Sequence, residues 1–123
     1  MAEFLFQNLS YLVIGAAIEV HRLLGPGFLE KIYQNALEHE LALRNIPFAR
    51  QIPVEVQYKE ISVGEYKVDL LVDEKIIVEV KALSALIPAH EAQAINHLAA
   101  TQTRLALLLN FGTESLQVRR LIH

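Results

Sequence analysis

The sequence predicts an α/β layer fold, a mixed β-sheet of about five strands flanked by three helices. Three observations carry this. Apolar residues recur at helical spacing as far as Arg44, the pattern switches to alternation from Phe48 onward, and Leu105 to Leu109 is an unbroken apolar run.

The first helix is expected to start at Ser10 as N-cap, with Leu9, Leu12, Val13, Ala16, Ala17, Val20, Leu23 and Leu24 at helical spacing. Gly25-Pro26-Gly27 stops it, because glycine suits a left-handed C-cap and proline cannot continue a helix. A second helix is expected over about Phe28 to Arg44, with Leu29, Ile32, Tyr33, Ala36, Leu37, Glu40 and Leu41 along one side. Asn45-Ile46-Pro47 ends it. Val54, Val56 and Tyr58 then alternate with Glu55 and Gln57 as in a half-buried strand, and Lys59-Glu60 makes a turn. The next strand is placed at Tyr66 to Val72 and a third at Ile76 to Ala82. Pro88 opens a third helix running to about Ala100, Leu105 to Leu109 forms a strand buried on both faces, and Gln117 to Ile122 forms the last strand.

The 123 residues suit one domain, and 53% hydrophobic with 20% charged residues argues for a globular chain. The net charge of −3 lacks the basic surplus of a typical nucleic-acid binder, although a bound cation would offset part of it. Without cysteine there is neither a disulfide framework nor a zinc–thiolate site. Met1-Ala2-Glu3-Phe4 carries no basic leader, and the apolar run from Leu9 to Ile18 is too short to cross a bilayer. A cytoplasmic protein with no membrane partner is expected.

The chemistry concentrates in Val68-Asp69-Leu70-Leu71-Val72 and Ile76-Ile77-Val78-Glu79-Val80-Lys81-Ala82. Ionisable groups set among valines, leucines and isoleucines must be paired or hold a metal, since burying a lone charge is costly. Glu79 and Lys81 share one face of their strand by alternation. A two-residue loop at Asp73-Glu74 would set Asp69 against Val78. A three-residue loop, Asp73 to Lys75, sets it against Glu79 with the side-chain roots about 5 Å apart. The odd-numbered loop, or a bulge of the same effect, is expected. Two carboxylates that close repel each other unless a cation lies between them, and Mg²⁺ (or Mn²⁺) accepts two or three carboxylates while keeping several waters. The opposing view is a solvated glutamate and lysine on an amphipathic hairpin.

These residues, an Asp followed by Glu-x-Lys across a hairpin after two helices, resemble the core of the PD-(D/E)xK nuclease superfamily. Gly27-Phe28-Leu29-Glu30-Lys31-Ile32-Tyr33 reads as the G-x-x-E-x-x-Y signature of the GxxExxY family within it. Ala17-Ile18-Glu19-Val20-His21, Leu24-Gly25-Pro26-Gly27, His90-Glu91-Ala92-Gln93 with Asn96, and Leu107 to Gly112 extend the likeness. Val68 stands where the superfamily's name has proline, and His97 stands where related helicase-nucleases carry the tyrosine of Q-x-x-x-Y.

The resemblance implies a restriction-endonuclease-like fold and a magnesium-dependent nuclease acting on nucleic acid, DNA favoured over RNA. By this analogy Asp69 and Glu79 ligate the metal, and Lys81 orients the attacking water or balances charge in the transition state. Glu30 is a further ligand or water-positioning group, although an acid in a first helical turn is also favoured by the helix dipole. Gln93 is placed near the metal or scissile phosphate with His90 beside it, and Tyr33 is assigned to bond a phosphate or orient Glu30, against the commoner outcome of a satisfied buried hydroxyl. Glu19 is taken as structural, pairing with His21, Arg22 or a backbone group, and His97 is given little part. Arg104, Arg119, Arg120 and Lys67 are candidates for phosphate contacts or plain surface charge. So small a domain has little surface for gripping a duplex. A homodimer, a single-stranded or branched substrate, or a partner protein is therefore expected. The alternative is a non-catalytic nucleic-acid-binding or protein-interaction module that retains the nuclease fold.

Overall fold

The computed structural model describes residues 5–123, so the Met1 to Phe4 stretch, on which the absence of a basic leader was expected, lies outside the described residues. Helix α1 spans Gln7–Leu24 and α2 spans Glu30–Leu43. Strands β1 (Phe48–Tyr58), β2 (Ile61–Val72) and β3 (Ile76–Lys81) follow, then α3 (Pro88–Thr101), β4 (Leu105–Asn110) and β5 (Gln117–Ile122). The sheet runs β1-β2-β3-β4-β5, antiparallel throughout except for the parallel β3–β4 pair that α3 connects. Three helices on a mixed five-stranded sheet match the expected class.

Two apolar clusters hold the layers. Val13, Ala16, Ala17 and Val20 of α1 and Tyr33, Leu37 and Leu41 of α2 pack on Leu70, Val72, Val78, Val80, Leu105, Leu107 and Leu109. On the opposite face Leu98 of α3 packs with Val54, Val68, Ile77 and Ala106. Every residue of β4 is buried, as the apolar run predicts for a central strand covered on both sides.

Several local expectations are corrected. Ser10 is not the N-cap of α1; it lies inside the helix, buried, with its hydroxyl donating to the Phe6 carbonyl at 2.7 Å. Leu29 precedes α2 and is 77% exposed, because the buried stripe is Tyr33, Leu37 and Leu41 at four-residue spacing. β2 begins at Ile61 rather than Tyr66 and runs through Gly64, so β1 and β2 form a long hairpin closed at Lys59-Glu60. Both turn residues have positive φ, 49° and 68°, the geometry of a tight hairpin turn. Val56, Tyr58, Ile61 and Val63 at its tip are exposed.

The same hairpin changes face partway along. Leu70 and Val72 belong to the cluster under α1 and α2, whereas Val68 and Tyr66, of the same parity, belong to the cluster under α3. On β1, Phe48 and Ile52 divide between the two clusters in the same way. The reversal falls at Asp69 and at Gln51, whose φ is 50°. A local departure from the regular pleat thus re-aims side chains beside the candidate site.

Candidate active site

β2 and β3 pair as Val72↔Ile76, Leu71↔Ile77 and Leu70↔Val78, so Asp73 to Lys75 is a three-residue loop. Carried one step further, this register sets Asp69 against Glu79, where the ladder has ended. At that fork the Asp69 carboxylate takes the place of a strand: its Oδ2 accepts the Val80 amide at 2.8 Å. β3 meanwhile continues along β4 through Glu79↔Leu108 and Lys81↔Asn110. Ile77 packs toward α3, and alternation puts Glu79 and Lys81 on that side as well.

Electrostatics tie Glu30 to the same place. Burial raises the Asp69 carboxyl above its ordinary range, while the Val80 amide, Lys81 and His97 pull it back and Glu38 pushes it up further. Burial likewise raises Glu79, against the hydrogen bond and charge of His97; Asp69 adds to the rise and Lys81 opposes it. At the start of α2, burial raises Glu30, with Lys81 lowering it and Asp69 raising it. The Lys81 charge therefore acts on all three acids. All three are raised first by burial, which disfavours the ionised form of each acid.

Two members of this neighbourhood were not assigned from sequence. Gln34 is buried on α2, one turn after Glu30; its side-chain amide donates to Glu38 Oε2 at 3.1 Å and to the Asp69 carbonyl at 3.4 Å. Glu38, a turn further, pairs with Arg50 at 2.9 Å. The four-residue spacing of Glu30, Gln34 and Glu38 was the available signal: one polar stripe beside the buried Tyr33–Leu37–Leu41 stripe. The other omission is His97. Its Nδ1 meets Glu79 Oε1, and its ring stacks on Tyr66 with centroids 4.2 Å apart and planes at 22°.

The remaining assigned residues fall elsewhere. Tyr33 is fully buried; its hydroxyl donates to the Gly25 carbonyl at 2.5 Å and accepts the Phe28 amide at 3.1 Å, and its ring stacks on Phe111. Of the roles considered for it, this geometry favours the satisfied buried hydroxyl. His90 Nδ1 accepts the Ile87 amide at 3.0 Å and so caps α3. Gln93 is exposed one turn before His97 and makes no side-chain hydrogen bond among the described residues. Glu19 pairs with Arg22 at 2.9 Å. Arg119 stands 4.0 Å from Glu91, and Arg120 donates to the Leu5 carbonyl.

The donor set suits a hard divalent cation in its chemistry: carboxylate oxygens, partly buried. Among the described residues, however, no group of three or more His, Asp or Glu side chains stands close enough to hold a metal. Asp69 and Glu79 are brought to one fork with Lys81 nearby, and Glu30 approaches electrostatically without joining a formed cluster.

A three-layer α/β fold with acids and a lysine at a strand fork is the design of a nuclease-type protein. The sequence profile of the PD-(D/E)XK nuclease superfamily matches residues 7–121, and the chain belongs to that superfamily. Its three helices and five-stranded mixed sheet are the restriction-endonuclease-like fold. No curated protein and no solved structure matches the chain. No helix among the described residues is long and apolar enough to cross a membrane.

Proposed function

We propose that this protein is a magnesium-dependent nuclease of the GxxExxY group, hydrolysing phosphodiester bonds in nucleic acid, with DNA favoured over RNA and Mn²⁺ able to replace Mg²⁺. The observation that carries the reading is the fork where the β2–β3 register, carried one step past its last pair, sets Asp69 against Glu79 two residues before Lys81. Asp69 and Glu79 are the metal ligands, and Glu30 is a third ligand or holds a water of the metal. When bound, the cation polarises the scissile phosphate and lowers the pKa of a coordinated water. Lys81 orients the attacking water or balances the charge that grows on the phosphate oxygens. Gln93, exposed on the same helix as His97, is assigned in this reading to the metal or the scissile phosphate.

A second reading has one observation in its favour. Glu79 is already paired with His97, which satisfies a buried acid without a metal and is compatible with a non-catalytic nucleic-acid-binding or protein-interaction module. Incubation of the purified chain with Mg²⁺ or Mn²⁺ and single-stranded, duplex and branched DNA and RNA separates the two. Cleavage that is lost in Asp69→Asn and Lys81→Ala supports the nuclease. Binding without turnover, unchanged in both variants, supports the module.

A further inference from the structure

Glu79 is 7% exposed in its side chain and His97 13%, so their contact is largely shielded from water. The imidazole has little freedom. It rides on α3, whose Leu98 is fully buried against the sheet, and Tyr66 from β2 lies flat against its ring. The Tyr66 hydroxyl is buried and has no hydrogen-bond partner among the described residues. An orphaned buried hydroxyl costs stability, so whatever Tyr66 contributes here comes from its ring. The face reversal of β2 at Asp69 is what brings Tyr66 to the α3 side, where its ring meets the imidazole.

We propose that His97, clamped by the Tyr66 ring, is a positioning residue that fixes the Glu79 carboxylate for metal binding. With Oε1 held by Nδ1, Glu79 keeps its second carboxylate oxygen, and together with Asp69 it would hold the cation. Carboxylates that ligate metals are themselves held by hydrogen bonds from outside the metal's own ligands, and losing such a holder typically weakens metal affinity about 10- to 100-fold. This deepens the metal-dependent reading above and rests on it. It also gives meaning to the histidine in the Gln93-Ala94-Ile95-Asn96-His97 segment: a group long enough to reach the acid and flat enough to be clamped.

The test is calorimetric titration of the full chain with Mn²⁺, with circular dichroism confirming that each variant is folded. His97→Ala is expected to bind Mn²⁺ at least about tenfold more weakly. His97→Asn, which can present an amide N–H near the place of Nδ1, is expected to recover most of the loss. Tyr66→Phe keeps the ring and is expected to bind within about twofold of the parent, whereas Tyr66→Ala weakens binding as the imidazole loosens. A parent that binds Mn²⁺ beside a folded His97→Ala that binds equally well overturns this inference alone. A parent that takes up no Mn²⁺ overturns the proposed function together with it.

Discussion

Asp69 closes the fork between β2 and β3 by accepting the Val80 amide at 2.8 Å, so its carboxylate has a structural duty beside the chemical one proposed for it. The two duties separate by mutation. Asp69→Asn keeps an acceptor for the amide and is expected to fold with near-parental stability while losing Mn²⁺ binding. Asp69→Ala orphans the buried amide and is expected to lose about 1–3 kcal/mol as well. Urea unfolding alongside Mn²⁺ calorimetry distinguishes the two variants, and equal stability of both would remove the structural duty.

Burial raises Asp69 and Glu79 above their ordinary values of 3.8 and 4.5, and this fixes the sign of a pH effect. Between the ordinary and raised values the native chain holds more protons than the unfolded one, so their contribution to stability falls as pH rises through that window. Below the ordinary values the contribution is fully present. Metal-free Glu79→Gln removes one of these acids. Its melting temperature is expected to match the parent's in acid and to exceed it by a few degrees near pH 7. Adding Mn²⁺ at neutral pH is expected to raise the parent's melting temperature and leave that of Glu79→Gln nearly unmoved. Differential scanning calorimetry across about pH 4 to 8 reads both effects.

Lys81 acts on Glu30, Asp69 and Glu79 together, yet its proposed duty is to the substrate. Lys81→Met is expected to retain Mn²⁺ binding and to lower the cleavage rate about a hundredfold or more, as loss of a charge-stabilising donor does. Single-turnover kinetics at saturating metal measures this, and an unchanged rate would remove Lys81 from the chemistry.

Tyr33 belongs to the fold. Its hydroxyl clasps the Gly25–Phe28 turn from both sides, so Tyr33→Phe is expected to cost about 1–2 kcal/mol while leaving cleavage per folded molecule unchanged. A variant of parental stability but impaired cleavage would return Tyr33 to the substrate.

Much of this architecture was legible because local pattern and global layer agree. The apolar run of β4 had to be covered on both faces, and a three-residue loop was the solution that kept Asp69 on the side of Glu79. What escaped was longer in range. Alternation along β2 cannot show that the strand rolls over at Asp69, so Tyr66 was not connected with α3. The helical face carrying His97 was visible, but not its depth against the sheet, which makes it the partner of Glu79. The Tyr33–Phe111 stack joins residues far apart in sequence, and no local period encodes it.

The central claim is that Asp69 and Glu79 share a divalent cation. Anomalous diffraction from crystals soaked in Mn²⁺ tests it most directly: the account predicts a peak within bonding distance of one oxygen from each acid, with Lys81 alongside. A well-ordered fork without such a peak, at Mn²⁺ concentrations that support cleavage, would contradict it.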